Sequence, residues 1–144
     1  MMKAPIGLLI RPPDKWGDGT FGASRDGVAR AHMGLDLAVW PGMPVYPPAE
    51  CKVIREAPPY ADDARFGGLL LRLVDDADGV VEIKMFYLSP VPGIVGRHVT
   101  SADVIGYAQD LRSKYAGITP HVHIEVTKQG VRIDPRPLLE DRIA

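Results

Sequence analysis

The chain has 144 residues, enough for one hydrophobic core and too few for two, and its 46% hydrophobic content argues against disorder. With 17 Lys and Arg against 18 Asp and Glu, a net charge of −1 gives no footprint for a nucleic acid or an anionic membrane surface. The longest apolar runs, such as residues 6–10 and 67–71, fall far short of the ~20 residues that span a bilayer, and the single cysteine, Cys51, cannot close an internal disulfide.

The 15 glycines and 14 prolines show no collagen-like period and favour short strands joined by turns. Residues 1–31 read as a loop-rich lead-in. Met1-Met2-Lys3-Ala4-Pro5 carries one positive charge, and the apolar stretch behind it ends at Arg11, too short for a signal-peptide core, so no ordinary leader is expected. Arg11-Pro12-Pro13-Asp14 and Gly17-Asp18-Gly19 are turn-forming. Strands are expected at residues 35–39, 44–46 and 52–55, with Pro41-Gly42 as a turn. Residues 69–74 and 80–88 read as a mid-sheet hairpin around a Gly-ended loop, closed by Pro90-Val91-Pro92-Gly93. Another short strand is expected at 104–107, and Ala108 to Tyr115 is the one helix candidate. Strands at 121–126 and 131–133, separated by Gln129-Gly130, precede a turn at Asp134-Pro135 and an apolar pair, Leu138-Leu139. The expected fold is one mainly β domain over 1–144, an antiparallel sheet whose loops form the walls of a groove.

All four histidines can be placed, and two of them share one strand. In His121-Val122-His123-Ile124-Glu125-Val126 the period of two puts Val122, Ile124 and Val126 on a core face and His121, His123 and Glu125 on the other. Two strand rises separate the imidazoles by ~7 Å. The second piece is His32-Met33-Gly34-Leu35-Asp36, where a turn running into a strand lets His32 and Asp36 converge on one ion. Two imidazoles and one carboxylate leave a tetrahedral zinc with an open position, the arrangement of catalytic sites. Spacing leaves open which strand histidine is the ligand. Arg25 precedes the first candidate ligand, and its guanidinium fork suits a substrate carboxylate. Cys51 reads as a small packed thiol and His98 as solvent-exposed, while Trp16 and Trp40 suit either a groove wall or the core.

These pieces resemble the lysostaphin-type (LytM-type) zinc endopeptidases that cut peptidoglycan cross-bridges, a family with a duplicated hybrid motif-like fold. The resemblance is carried by residues 32–38, Pro41-Gly42-Met43-Pro44-Val45-Tyr46-Pro47-Pro48-Ala49, Val104-Ile105-Gly106, residues 121–126 and Asp134-Pro135, in the family's order across about residues 20–140. It implies that His32, Asp36 and His123 hold Zn²⁺, that His121 is a catalytic histidine and that peptidoglycan peptides are the substrate. Lys84-Met85-Phe86-Tyr87 looks more like the leukocyte cell-derived chemotaxin branch of the family. Active peptidases of the family usually carry a further histidine where this chain has Tyr87. A phenol can donate a hydrogen bond to an oxyanion but is a poor base at neutral pH, so Tyr87 is expected to replace only the stabilising role. The expected function is a zinc-dependent peptidoglycan endopeptidase, with phage lysis or tail and baseplate delivery, in the virion or to the periplasm, fitting the missing leader. The other reading is a zinc-containing module that grips such peptides, or a protein partner, without cutting them.

Overall fold

Alternation of apolar and polar residues is the rule that builds this chain. The computed structural model describes residue 11, residues 24–25 and 30–31 by their backbone, and residues 34–74 and 79–136. In chain order the strands are β1 (Ser24–Arg25), β2 (Arg30–Ala31), β3 (Leu35–Ala38), β4 (Pro44–Val45), β5 (Cys51–Glu56), β6 (Gly68–Leu73), β7 (Val81–Phe86), β8 (Leu88–Pro90), β9 (His98–Val99), β10 (Gly106–Ala108), β11 (His121–Lys128) and β12 (Val131–Ile133). Every pairing between them is antiparallel. The main sheet runs β12-β11-β7-β6-β5-β9, with β3 also on β11; β4-β10-β8 form a smaller sheet, and β1 pairs β2 inside the expected lead-in.

The core lies on one face of the main sheet. Val122, Ile124 and Val126 of β11, Ile83 and Met85 of β7, Leu69 and Leu71 of β6, and Leu35 and Leu37 of β3 are fully buried there. Each such side chain contributes roughly 1.5–3 kcal/mol by leaving water. A second cluster, Phe66, Leu111 and Ile118, with Tyr60, Tyr87 and Tyr115 packed on it, fastens the loops to the sheet.

Two expectations from the sequence are corrected. Residues 80–88 are not one strand: β7 stops at Phe86, and β8 begins in the other sheet. The joint is Tyr87, whose φ of 74° lies in the left-handed region. There the Gly67 carbonyl accepts hydrogen bonds from both Tyr87 N (2.8 Å) and Leu88 N (3.3 Å). The expected helix from Ala108 to Tyr115 is absent: Ala108 ends β10, residues 109–111 are irregular and 112–114 form a turn. Asp110 Oδ1 accepts from Arg112 N at 3.0 Å, a local bond that competes with helix formation. The Gln109 side chain is tied to Gly67 N and the Arg65 carbonyl instead. Leu138-Leu139 lies outside the described residues. Among the described residues, no helix is long and apolar enough to cross a membrane.

Candidate metal and catalytic centre

Antiparallel register assembles the centre. Leu35 and Leu37 turn into the core, so Asp36 between them faces the opposite side of the sheet, where it pairs directly with His123. The same register sets His121 against Ala38, and on its other side β11 pairs His123 with Phe86. Gly34 lets β3 come this close: a Cβ there would fall on the Ile124 carbonyl oxygen and stand 2.9 Å from His123 Cε1. Phe86 stacks on the His123 ring, centroids 5.6 Å apart and planes 11° from parallel.

Asp36, His121 and His123 are all buried. His123 Nδ1 lies 2.7 Å from Asp36 Oδ1, and its Nε2 lies 2.9 Å from Glu125 Oε2. Burial opposes a charge on this ring, but hydrogen bonds and charges from both carboxylates outweigh it and raise its pKa to about 9. Arg132 Nη2 in turn reaches Glu125 Oε1 at 3.3 Å. The other oxygen of Asp36 accepts from Arg11 Nη1 at 3.0 Å, and Arg11 N bonds the Asp36 carbonyl at 2.9 Å.

His121 is held differently. Its Nδ1 lies 2.8 Å from the Thr119 carbonyl, which can only accept, so Nδ1 carries the hydrogen. Nε2 therefore keeps its lone pair, 3.5 Å from Asp36 Oδ2. Burial pushes the pKa of His121 down to about 4, against the pull of Asp36, and leaves the ring neutral at neutral pH.

Imidazole and carboxylate donors of this kind suit zinc, and Asp36 Oδ1 and His123 Nδ1 already meet at one point. Glu125 fixes the far nitrogen of His123 as a donor, the usual support of a metal-binding histidine. Among the described residues, no three His, Cys, Asp or Glu side chains form a complete metal group. His32, the third expected ligand, lies outside the described residues, as does the side chain of Arg25.

Tyr87 borders this centre. Its ring meets His121 edge-on, centroids 5.3 Å apart, and its hydroxyl is 2.9 Å from that of Tyr60. Burial raises its pKa to about 12, so it stays protonated and able to donate. A bulky side chain at positive φ costs about 1–3 kcal/mol and persists only where surroundings enforce it. Here they are Phe66, Phe86 and His121 around the ring and the bond from Gln109 N to the Tyr87 carbonyl. A groove of about 430 Å³ opens nearby, lined in part by Tyr60, Phe66, Ser89 and Gln109.

The remaining candidates are scattered. Trp40 is 79% exposed just past β3, and so is no core anchor; Trp16 lies outside the described residues. His98 is exposed and pairs with Glu50 at 2.8 Å. Cys51 is buried, and Asp134 Oδ1 accepts from Arg136 N in a turn. Sequence reasoning missed Arg11, Tyr60 and Tyr115, whose partners are distant in the chain. It placed Glu125 on the histidine face without giving it a role, although its position two residues beyond His123 was the available signal.

Comparison with known proteins bears on the family and the fold. The model of Peptidase family M23 matches residues 30–135. Leukocyte cell-derived chemotaxin-2 of Bos taurus is 30% identical over 117 residues, 81% of this chain and 72% of the bovine protein. Among solved structures, LytU superposes with a TM-score of 0.64 at 25% identity, covering 87% of this chain and 84% of LytU. The catalytic domain of the antimicrobial peptidase lysostaphin from Staphylococcus simulans gives a TM-score of 0.61 at 24% identity, covering 85% and 90% of the two chains, which bears on the fold.

Proposed function

Because this chain belongs to Peptidase family M23, we propose that it is a zinc-dependent endopeptidase acting on peptidoglycan peptides. Asp36, His123 and His32 would hold the metal. When bound, zinc supplies a Lewis acid that polarises a carbonyl and acidifies water. His121 takes the proton from the attacking water on its free Nε2, while the Thr119 carbonyl holds the ring in the required tautomer. His121 then returns that proton to the leaving amine. Tyr87 donates its hydroxyl hydrogen to the oxygen that gains charge in the transition state. Arg25 pairs with a substrate carboxylate.

The observation that carries the reading is the neutral His121 lone pair beside the Asp36–His123 pair, since a purely structural metal has no use for a free base. Phage tail or baseplate partners find no support in the relatives described above and form no part of the proposal. The test is zinc analysis together with release of soluble peptides from purified cell wall. Zinc-loaded protein should release peptides, and His121→Ala should abolish release while keeping the zinc. Protein with one bound zinc per chain and no release from any wall would leave the second reading, a zinc-containing peptide-binding module. The engagement of Tyr87 with Tyr60 and the likeness to the chemotaxin favour that second reading.

A further inference from the structure

The face of the main sheet that carries His121 and His123 also carries an excess of positive charge. Directly paired residues share a face, so the ladders set Lys52, Arg72 and Glu82 in one row, and Arg55, Leu70, Lys84 and Glu125 in the next. Arg55 owes its place to an irregularity. A register shift between Val53 and Arg55 puts it, rather than Ile54, opposite Leu70, and bulges of this kind re-aim side chains. Arg132 joins the face from β12 through its pairing with Thr127. Among the described residues of β5, β6, β7, β11 and β12, this face holds five cations and two carboxylates, on a chain whose net charge is −1.

Both carboxylates are already committed. Glu82 Oε2 accepts from Arg72 Nε at 3.1 Å and from Arg72 Nη2 at 2.8 Å. Glu125 gives one oxygen to His123 at 2.9 Å and the other to Arg132 at 3.3 Å. Lys84 stands directly across from Glu125, yet among the described residues it has no ion pair. The Arg55 guanidinium is bonded only to a neutral acceptor, the Glu56 carbonyl, at 3.0 Å. Lys84 and Arg55 flank Leu70, two strand spacings or about 10 Å apart. Long stems can follow that apolar floor and bring an ammonium and a guanidinium to one carboxylate above it. Lys84 is also the diagonal neighbour of His123, about 7–8 Å away by backbone spacing, which is roughly two residues of extended chain.

We infer that Lys84 and Arg55 form a subsite for a free carboxylate of the substrate. The peptides cut are then acidic stem peptides with a carboxylate about two residues from the bond broken, rather than uncharged glycine bridges, which offer these cations nothing to pair with. The inference rests on the endopeptidase reading above and narrows its substrate class.

The test compares a cross-linked dimer of stem peptides whose carboxylates are free with the same dimer converted to carboxamides. One readout is kcat and KM for cleavage by the zinc-loaded chain; the other is calorimetric binding to zinc-loaded His121→Ala, which needs no turnover. The carboxylate dimer should have a KM and a dissociation constant about tenfold lower, an advantage that shrinks at about 1 M salt. Lys84→Gln and Arg55→Gln should each raise KM for that dimer about threefold with kcat within twofold, and leave KM for the carboxamide dimer unchanged. Lys84→Arg should keep the preference, and Lys84→Gln alone decides if Arg55→Gln melts early. Equal KM for the two dimers in wild type overturns the inference and leaves the endopeptidase reading standing, as does a loss in Lys84→Gln that is the same for both. Tight binding of polyphosphate without a preference between the dimers would assign the cations to an anionic polymer and overturn it too. If the carboxylate dimer binds more tightly but neither is cut, the endopeptidase reading fails alone. Neither binding nor cleavage would end both.

Discussion

Gly34→Ala is the smallest change that should separate β3 from β11. The new Cβ would overlap the Ile124 carbonyl oxygen and stand 2.9 Å from His123 Cε1 and 3.0 Å from Glu125 Cγ. The carbonyl is backbone in mid-sheet and cannot swing aside, so β3 must lift. Overpacking of this kind costs about 1–3 kcal/mol. Weakening one or two ladder bonds adds about 0.5–1.5 kcal/mol each, giving a total of roughly 1.5–6 kcal/mol. For a domain of this size that lowers the melting temperature by about 5–20 °C. Lifting β3 also moves Asp36 away from His123, so zinc affinity, measured by competition with a chelator, should fall with the stability. Gly42→Ala is the control: it suffers the unfavourable φ of 87° but meets nothing within 4 Å. It should lose stability without losing zinc affinity relative to wild type. A Gly34→Ala protein that melts within 2 °C of wild type and binds zinc equally would refute the account of how the two strands approach.

Three further outcomes are expected. Metal-free protein should be most stable near pH 6.5, as read from urea midpoints in chelator. Below that, unfolded chains protonate His121 while the folded ring resists until about pH 4; above it, the folded chain keeps the His123 proton until about pH 9 while the unfolded chain has lost it. A rise in stability from pH 6.5 to 9 would contradict the assignment for His123, and a fall from pH 5 to 6.5 would contradict that for His121. Glu125→Gln, assayed above pH 9 where the proton no longer competes for His123, should bind zinc about tenfold more weakly, because a charged hydrogen-bond partner becomes neutral and Arg132 loses its counter-ion. Equal affinity would remove Glu125 from the support of the site. The Cys51 thiol, buried and with its pKa pushed up to about 12, should stay unreactive to a thiol reagent until the protein unfolds, and prompt modification of folded protein would show the strand to be accessible.

The parts of the centre that were legible in the sequence obey local rules. The alternation in residues 121–126 gave the two faces of β11 because strand side chains have a period of two, and Leu35-Asp36-Leu37 follows the same rule in β3. Pairing Asp36 with His123 required a register between segments 87 residues apart, which no local pattern states. The break at Tyr87 was hidden for a related reason: residues 80–88 are apolar enough for one strand, and the tertiary grip of Gly67, Gln109 and the surrounding rings overrides that tendency. The expected helix failed because an eight-residue segment nucleates poorly, whereas the Asp110 side chain takes the backbone N–H of Arg112 and Gln109 has its partners outside the segment. Tyr60 and Tyr115 gave no signal, because a lone tyrosine in a turn looks the same whether or not its hydroxyl meets another.

The cross-strand origin of the Asp36–His123 pair has a consequence for diversification. The two donors are aligned by a backbone ladder, while residues 61–64, which border the groove through Ala61 and Ala64, connect strands without taking part in that alignment. Exchanges there leave the spacing of the donors untouched, whereas Tyr60, Phe66, Gln109 and Thr119 grip Tyr87 and His121 and are tied to them. The outer wall of the groove can thus drift while the residues nearest the centre are held.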